Sequence, residues 1–273
     1  LSKHGHVCAG ADLGDFVVSM AVARNLHAFT GDKQVIHAVE TIGVQPFLKR
    51  VPLIEELVLA QPYIAGLELG TKKGIDITGF RRFHSRNQSL LYAQSMELNS
   101  QFPTPVTYSD SPWLTIPSKS SYSPGRVLLC RTERYRSNHF PWREILEHLR
   151  DRALFIGLPH EHQNFQKMFG FVEFCPTRNL MEVAQLIAAS ELLISNQTSA
   201  ANISLGMGHP TIVELWCVSS CDVIYQRQNA EYSFDGSVTI DGKIIRSSVP
   251  KDQIPSPLIP IEAILNSKLP FPI

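Results

Sequence analysis

A chain of 273 residues with 44% hydrophobic and 18% charged side chains has a globular composition and is long enough for two domains of ordinary size. Its formal net charge of zero excludes binding to nucleic acid through bulk charge, which leaves only a local basic patch, and no apolar run approaches the roughly 18–20 residues of a membrane span. The first residues, LSKHGHVCAGADLGDF, lack the apolar core of a signal peptide, and five scattered cysteines (Cys8, Cys130, Cys175, Cys217, Cys221) read as reduced residues of a cytoplasmic protein.

In chain order, HGHVCAGADLGDFVVSMAVARNLHAF predicts a strand, a Gly-containing loop and a helix whose apolar face carries Phe16, Val17, Met20, Ala23 and Leu26. KQVIHAVE is a second strand, VQPFLKRVPLIEELVLA holds a helix starting near Pro52, GIDITGF is a short strand and SRNQSLLYAQSMELN a helix. This β-α alternation favours a parallel sheet covered on both faces. The five prolines and many serines of Phe102–Gly125 break the pattern and read as an interdomain linker.

A second alternating series follows. RVLLC, ALFIGL, ELLIS and TIVELW are strands; FPWREILEHLRD is a helix with Pro141 at its start, and NLMEVAQLIAAS a helix capped by Asn179 with Glu182 three residues on. SVTIDGKII is a hairpin turning at Asp241-Gly242, and the Pro-rich end holds one short helix. The expected fold class is α/β, with domains over 1–112 and 113–250 and a tail over 251–273.

Three stretches carry chemistry. After the strand ELLIS, small polar residues precede a helix beginning near Ala200, so Asn196, Thr198 or Ser199 falls at its N-cap and the unpaired amides of its first turn can hold an anion, phosphate above all. The competing reading is an ordinary capped helix. After the strand RVLLC come Arg131, Thr132, Arg134 and Arg136 against the single acid Glu133, a local positive site whose planar guanidinium forks suit phosphate, or else a solvated loop. In GADLGDF, Gly10 and Gly14 permit a tight turn and Asp15 opens the helix, as a cap or as a general base facing a cleft. The spacing G-x-x-x-G is not a dinucleotide fingerprint, which disfavours a nicotinamide enzyme.

These elements in this order resemble the heptosyltransferase-type glycosyltransferases of family 9. The resemblance is carried by Leu13-Gly14-Asp15, by CRTERYRSNHFPWREI, by the IGLPHE turn from Gly157 to Glu161, and most specifically by LIAASELLISNQTSAANISLGMGHPT. The chain departs from the family pattern at Gln197-Thr198-Ser199, where Asp-Ser-Gly is usual, and at Asn202, where His is usual.

The resemblance implies a GT-B fold, two Rossmann-like domains with parallel sheets facing across a cleft, and transfer of a hexose or heptose from a nucleoside-diphosphate sugar to an acceptor hydroxyl, with inversion. It needs no cofactor and no metal. Arg131, Thr132, Arg134, Arg136, Asn196, Thr198 and Ser199 would hold the donor diphosphate, Gly14, Gly157, Glu161 and Asn202 would shape its turns, and Asp15 would be the base. Domain closure would exclude water, and the tail would cross back to the first domain.

The acceptor implied is a saccharide or lipopolysaccharide. Lys72, Lys73, Arg81, Arg82 and Arg86 form a basic run that would meet an anionic acceptor. Nucleic acid is the alternative there, as for a phage-type transferase acting on modified DNA bases. A second alternative is a catalytically silent nucleotide-sugar-binding protein, suggested by the replaced Asp-Ser-Gly and His positions. The His160-x-His162 pair reads as loop rather than metal site.

Overall fold

A computed structural model of the chain describes residues 5–41, 46–83, 89–109, 111–118, 120–216, 225, 227–233, 235–250, 253 and 254. The first half contains β1 (His6–Gly10), α1 (Leu13–Thr30), β2 (Gln34–Val39), α2 (Glu55–Leu59), β3 (Ile64–Leu69), β4 (Ile75–Asp76) and α3 (Leu90–Asn99). Its strands form one parallel sheet in the order β3-β2-β1-β4.

The second half contains β5 (Val127–Cys130), α4 (Trp142–Leu149), β6 (Ala153–Ile156), α5 (Pro159–Phe169), β7 (Glu173–Cys175), α6 (Leu180–Ala189), β8 (Leu192–Asn196), α7 (Ser199–Met207), β9 (Thr211–Glu214) and β10 (Ala230–Ser233). A second parallel sheet runs β10-β9-β8-β5-β6-β7. The hairpin β11 (Ser237–Ile240) and β12 (Lys243–Arg246) turns at Asp241-Gly242, both at positive φ as a two-residue primed turn needs. The central strands β5 and β6 are buried at every residue, the signature of a parallel sheet covered on both faces.

Most predicted elements are present, and the departures have physical causes. α1 is buried almost all round from Asp15 to Leu26 rather than on one face, because it lies between the first sheet, α3 and α7. The helix expected from Pro52 begins instead as a 3₁₀ turn over Leu48–Leu53, with α2 only from Glu55; Pro52 has no N–H to give, and the residues around it close i to i+3 bonds, Arg50 N–H to Phe47 O before it and Ile54 N–H to Val51 O across it. β3, α5, β7 and β10 had no clear periodic signal: α5 buries only Glu161 and Phe165.

His160 and His162 thus sit on the first turn of α5, not in a loop; the His162 ring stacks on Phe174 at 4.7 Å. Asn179 caps α6 by accepting from Glu182 N–H at 2.9 Å, while Glu182 reaches one residue further back, to Arg178 N–H. Cys8, Cys130 and Cys175 are free, and burial pushes the Cys8 thiol up to about 11 and that of Cys130 to about 12. Cys217, Cys221, Arg86 and the expected helix of the tail lie outside the described residues.

The Pro-rich stretch carries no helix or strand among its described residues, yet it is tied down. Arg24 of α1 donates to the carbonyls of Ser109, Ser111 and Pro112 at 2.8 Å each. Trp113, 2% exposed, then enters the seam between the halves. Its amide donates to Gly206 O of α7, its indole N–H to Val17 O of α1, and its carbonyl accepts from Tyr63. One apolar core therefore runs through α1, Trp113 and α7 from one sheet to the other.

Candidate active site between the two sheets

The sequence places the start of α1 and the start of α7 at the carboxyl ends of β1 and β8, and the fold brings these two helix starts together. Gly14 makes the approach possible: a Cβ there would lie 3.2 Å from Asn202 Nδ2 and 3.7 Å from Ser199 Oγ. Asn202 spans the seam, donating to Gly14 O at 3.4 Å and accepting from Tyr225 Oη–H at 3.0 Å. Beside this contact is a cleft of about 220 Å³. Asp12, Asp15, Arg50 and Arg81 line its wall on the side of the first sheet; Arg134, Tyr135, Thr198 and Ser199 line the opposite one.

Asp15 is the third residue of α1 and is nearly buried. Arg81 Nη2 donates to its Oδ2 at 2.7 Å, and Asp12 N–H donates to the same oxygen at 3.3 Å. Asp12 is the N-cap. Its Oδ1 accepts from Leu13 N–H at 3.1 Å and from Arg50 Nη1 at 2.6 Å, and its Oδ2 from Arg134 Nη2 at 3.1 Å. Burial opposes ionisation of Asp12, but the hydrogen bond and charge of Arg50, joined by Arg134, outweigh it and hold the carboxyl below the usual carboxylate range.

On the opposite wall, Thr198 is the N-cap of α7 and its hydroxyl accepts from Ala201 N–H at 3.1 Å. The amides of Ser199 and Ala200 precede the helix's own bonding and are directed out of its N-terminus. Thr198 Oγ1 also meets Ser195 Oγ at 2.8 Å. Of the three capping candidates, the chain uses Thr198.

The residues predicted to bind diphosphate divide into three groups. Arg134 reaches the cleft, and Ser199 lies at its edge. Arg131 and Asn196 are turned inward. One guanidinium edge of Arg131 forks onto Glu214, Nε to Oε2 at 2.9 Å and Nη2 to Oε1 at 3.0 Å, in a site where Glu214 is fully buried.

Glu214 also accepts from Ser137 N–H at 2.6 Å and Trp142 Nε1–H at 2.9 Å. Asn196, fully buried, accepts from Thr132 N–H and donates to Arg134 O at 2.6 Å. Two buried side chains at the ends of adjacent strands thus clamp the loop that carries Arg134, with Tyr135 held at a left-handed φ of 54°.

Thr132 and Arg136 line the far side of this loop, facing α5 at Glu161. Gly157 has φ 140°, and a Cβ there would meet Glu161 Oε2 at 3.0 Å; Glu161 caps α5 through Leu158 N–H at 2.9 Å. Burial raises the Glu161 carboxyl above its usual range. A wider hollow of about 560 Å³ opens beyond Tyr135, lined also by Arg136, Phe169 and Trp216.

The predicted basic run does not form an open groove among the described residues. Arg81 pairs with Asp15, Arg82 with Glu97 at 2.8 Å, and Lys72 with Asp76 at 3.1 Å. Sequence reasoning missed Arg50, just before the helix expected from Pro52, and Glu214, an acid inside an apolar strand. The second carried a signal, since a lone carboxylate among buried residues needs a partner.

No family model and no curated protein matches the sequence. Solved structures do match the fold. A family 9 glycosyltransferase from Veillonella parvula DSM 2008 is 12% identical, with a TM-score of 0.58 over 84% of each chain. The E. coli ADP-heptose LPS heptosyltransferase II is 11% identical, with a TM-score of 0.55 over 95% of this chain and 96% of that one.

The chain has the family 9 glycosyltransferase fold. The E. coli heptosyltransferase WaaC, solved with ADP-2-deoxy-2-fluoro heptose, shares it at 13% identity and a TM-score of 0.53, over 87% of this chain and 93% of that one. Within this GT-B arrangement of two parallel sheets, the Asp15 cleft lies between the halves and the Arg134 loop on the second. Among the described residues no helix is long and apolar enough to cross a membrane.

Proposed function

We propose that the protein transfers a sugar from a nucleoside-diphosphate sugar to an acceptor hydroxyl, with inversion and with no obligatory metal. One observation carries this reading. A carboxylate on the first domain, Asp15, shares a 220 Å³ cleft with a cationic side chain and a helix N-terminus on the second. The acceptor oxygen attacks the anomeric carbon, the bond from that carbon to the diphosphate oxygen breaks, and Asp15 takes the acceptor's proton. Arg134 and the first-turn amides of α7 offset the charge growing on the departing diphosphate. Arg81 holds the Asp15 carboxylate in place.

The domains are taken as 1–112 for the acceptor and 113–250 for the donor. The nucleoside end extends past Tyr135 into the 560 Å³ hollow, and the apolar α1–Trp113–α7 seam is the pivot for any closure. Because structures sharing this fold carry ADP or an ADP-heptose analogue, ADP-linked heptose is the first donor to test. The acceptor is a saccharide of lipopolysaccharide type. A nucleic-acid acceptor is not favoured, since Lys72, Arg81 and Arg82 are each paired with an acid.

The test is a thermal-shift screen of nucleoside diphosphates and their sugars, followed by transfer assays. A ligand at one hundred times its Kd raises stability by about 2.7 kcal/mol. Asp15→Asn should keep the donor-induced shift and lose transfer. Absence of any nucleotide-dependent shift would reject the reading.

A further inference from the structure

We propose that Asp12 is an internal competitor for the donor: it occupies Arg134 in the unliganded protein, and donor binding transfers Arg134 from the Asp12 carboxylate to the diphosphate. The inference rests on the donor site assigned above and adds a residue that tunes its affinity. The geometry separates the two halves of Asp12. Oδ1 serves the fold, accepting from Leu13 N–H at 3.1 Å and Arg50 Nη1 at 2.6 Å. Oδ2 reaches across the seam to Arg134 Nη2 at 3.1 Å, the one ion pair of that guanidinium among the described residues and a contact between the two walls of the cleft.

The Arg134 side chain is 69% exposed, so this is a weak, screened pair that a ligand with more charge can displace. The incoming phosphate would not meet a bare carboxylate. Arg50 stays on Asp12 through Nη1 at 2.6 Å, so its charge offsets Asp12 after Arg134 has left. The backbone of the Arg134 loop need not move, because Asn196 holds Arg134 O at 2.6 Å while the side chain swings. The exchange is one of hydrogen bonds and ion pairs only.

Asp12→Asn tests this cleanly. Asparagine caps a helix as well as aspartate and keeps Oδ1 for Leu13 N–H and Arg50, but presents an NH₂ group to Arg134. Titration calorimetry with ADP, GDP and UDP is run on wild type, Asp12→Asn, Arg134→Gln and the double variant. The expected result is about two- to fivefold tighter binding by Asp12→Asn at low ionic strength, the range of an exposed pair, shrinking as salt is raised and absent when Arg134 is Gln. Unchanged or weaker binding by Asp12→Asn overturns the competition while leaving the donor site intact.

Failure of wild type to bind any nucleoside diphosphate rejects the donor reading and this inference with it. If Asp12→Asn proves unstable, Asp12→Ser retains a cap and serves in its place. A ligand-free melting cycle across the same four proteins reads the pair directly, and strict additivity would show that it is not formed.

Discussion

Glu214→Gln should be among the most damaging single changes outside the cleft. The carboxylate is fully buried and accepts four donors: two from Arg131, one from Ser137 N–H and one from Trp142 Nε1–H. Glutamine keeps one acceptor oxygen and turns an NH₂ group toward two of those donors, so the buried Arg131 charge loses its counterion. Breaking a buried ion pair by removing one partner costs about 3–5 kcal/mol. A protein of this size shifts in melting temperature by roughly 2–4 °C per kcal/mol, so a fall of about 10 °C is expected.

Urea unfolding followed by circular dichroism measures the loss as a lower midpoint at unchanged slope. Arg131→Met combined with Glu214→Gln should recover part of it, because the isolated charge is then gone. A Glu214→Gln cost under about 1 kcal/mol would mean that water reaches the pair, and would refute the claim that Arg131 is a buried anchor rather than a diphosphate ligand.

Gly14→Ala should destabilise by about 1–2 kcal/mol in the same urea assay, since its methyl would press on Asn202 3.2 Å away across the seam. Thr198→Ala removes the cap of α7 and should cost about 1 kcal/mol, and by loosening the first-turn amides it should also weaken nucleoside diphosphate binding in calorimetry. Arg82→Gln should leave donor and acceptor KM unchanged, because Arg82 pairs with Glu97 and does not line the cleft. For pH, the Asp12 carboxyl is held below its ordinary value, so its contribution is full above an unfolded pKa of about 3.9 and is lost as pH falls through the lower folded value. Stability measured against pH in acid should therefore decline less steeply in Asp12→Asn than in wild type.

Much of this protein was legible along the chain. Runs such as VLLC and LLISN have no alternation because both faces are covered, and the small polar residues after LLISN had to cap a helix, whichever of them did so. The positions of Asp15, Arg134 and Ser199 at strand-to-helix junctions follow from the same local rules. Local rules are silent on direction across space. Arg131 and Arg134 are three residues apart in one basic loop, yet one is drawn inward by Glu214, 83 residues away, and the other is left to face Asp12, 122 residues away. Arg50 became part of the cleft only because the N-cap of α1 lies beside it. Charge type, capping and periodicity are properties of a segment, and the sequence alone determined them; which acid neutralises which base depends on the packing of distant strands, and only the tertiary structure decided that.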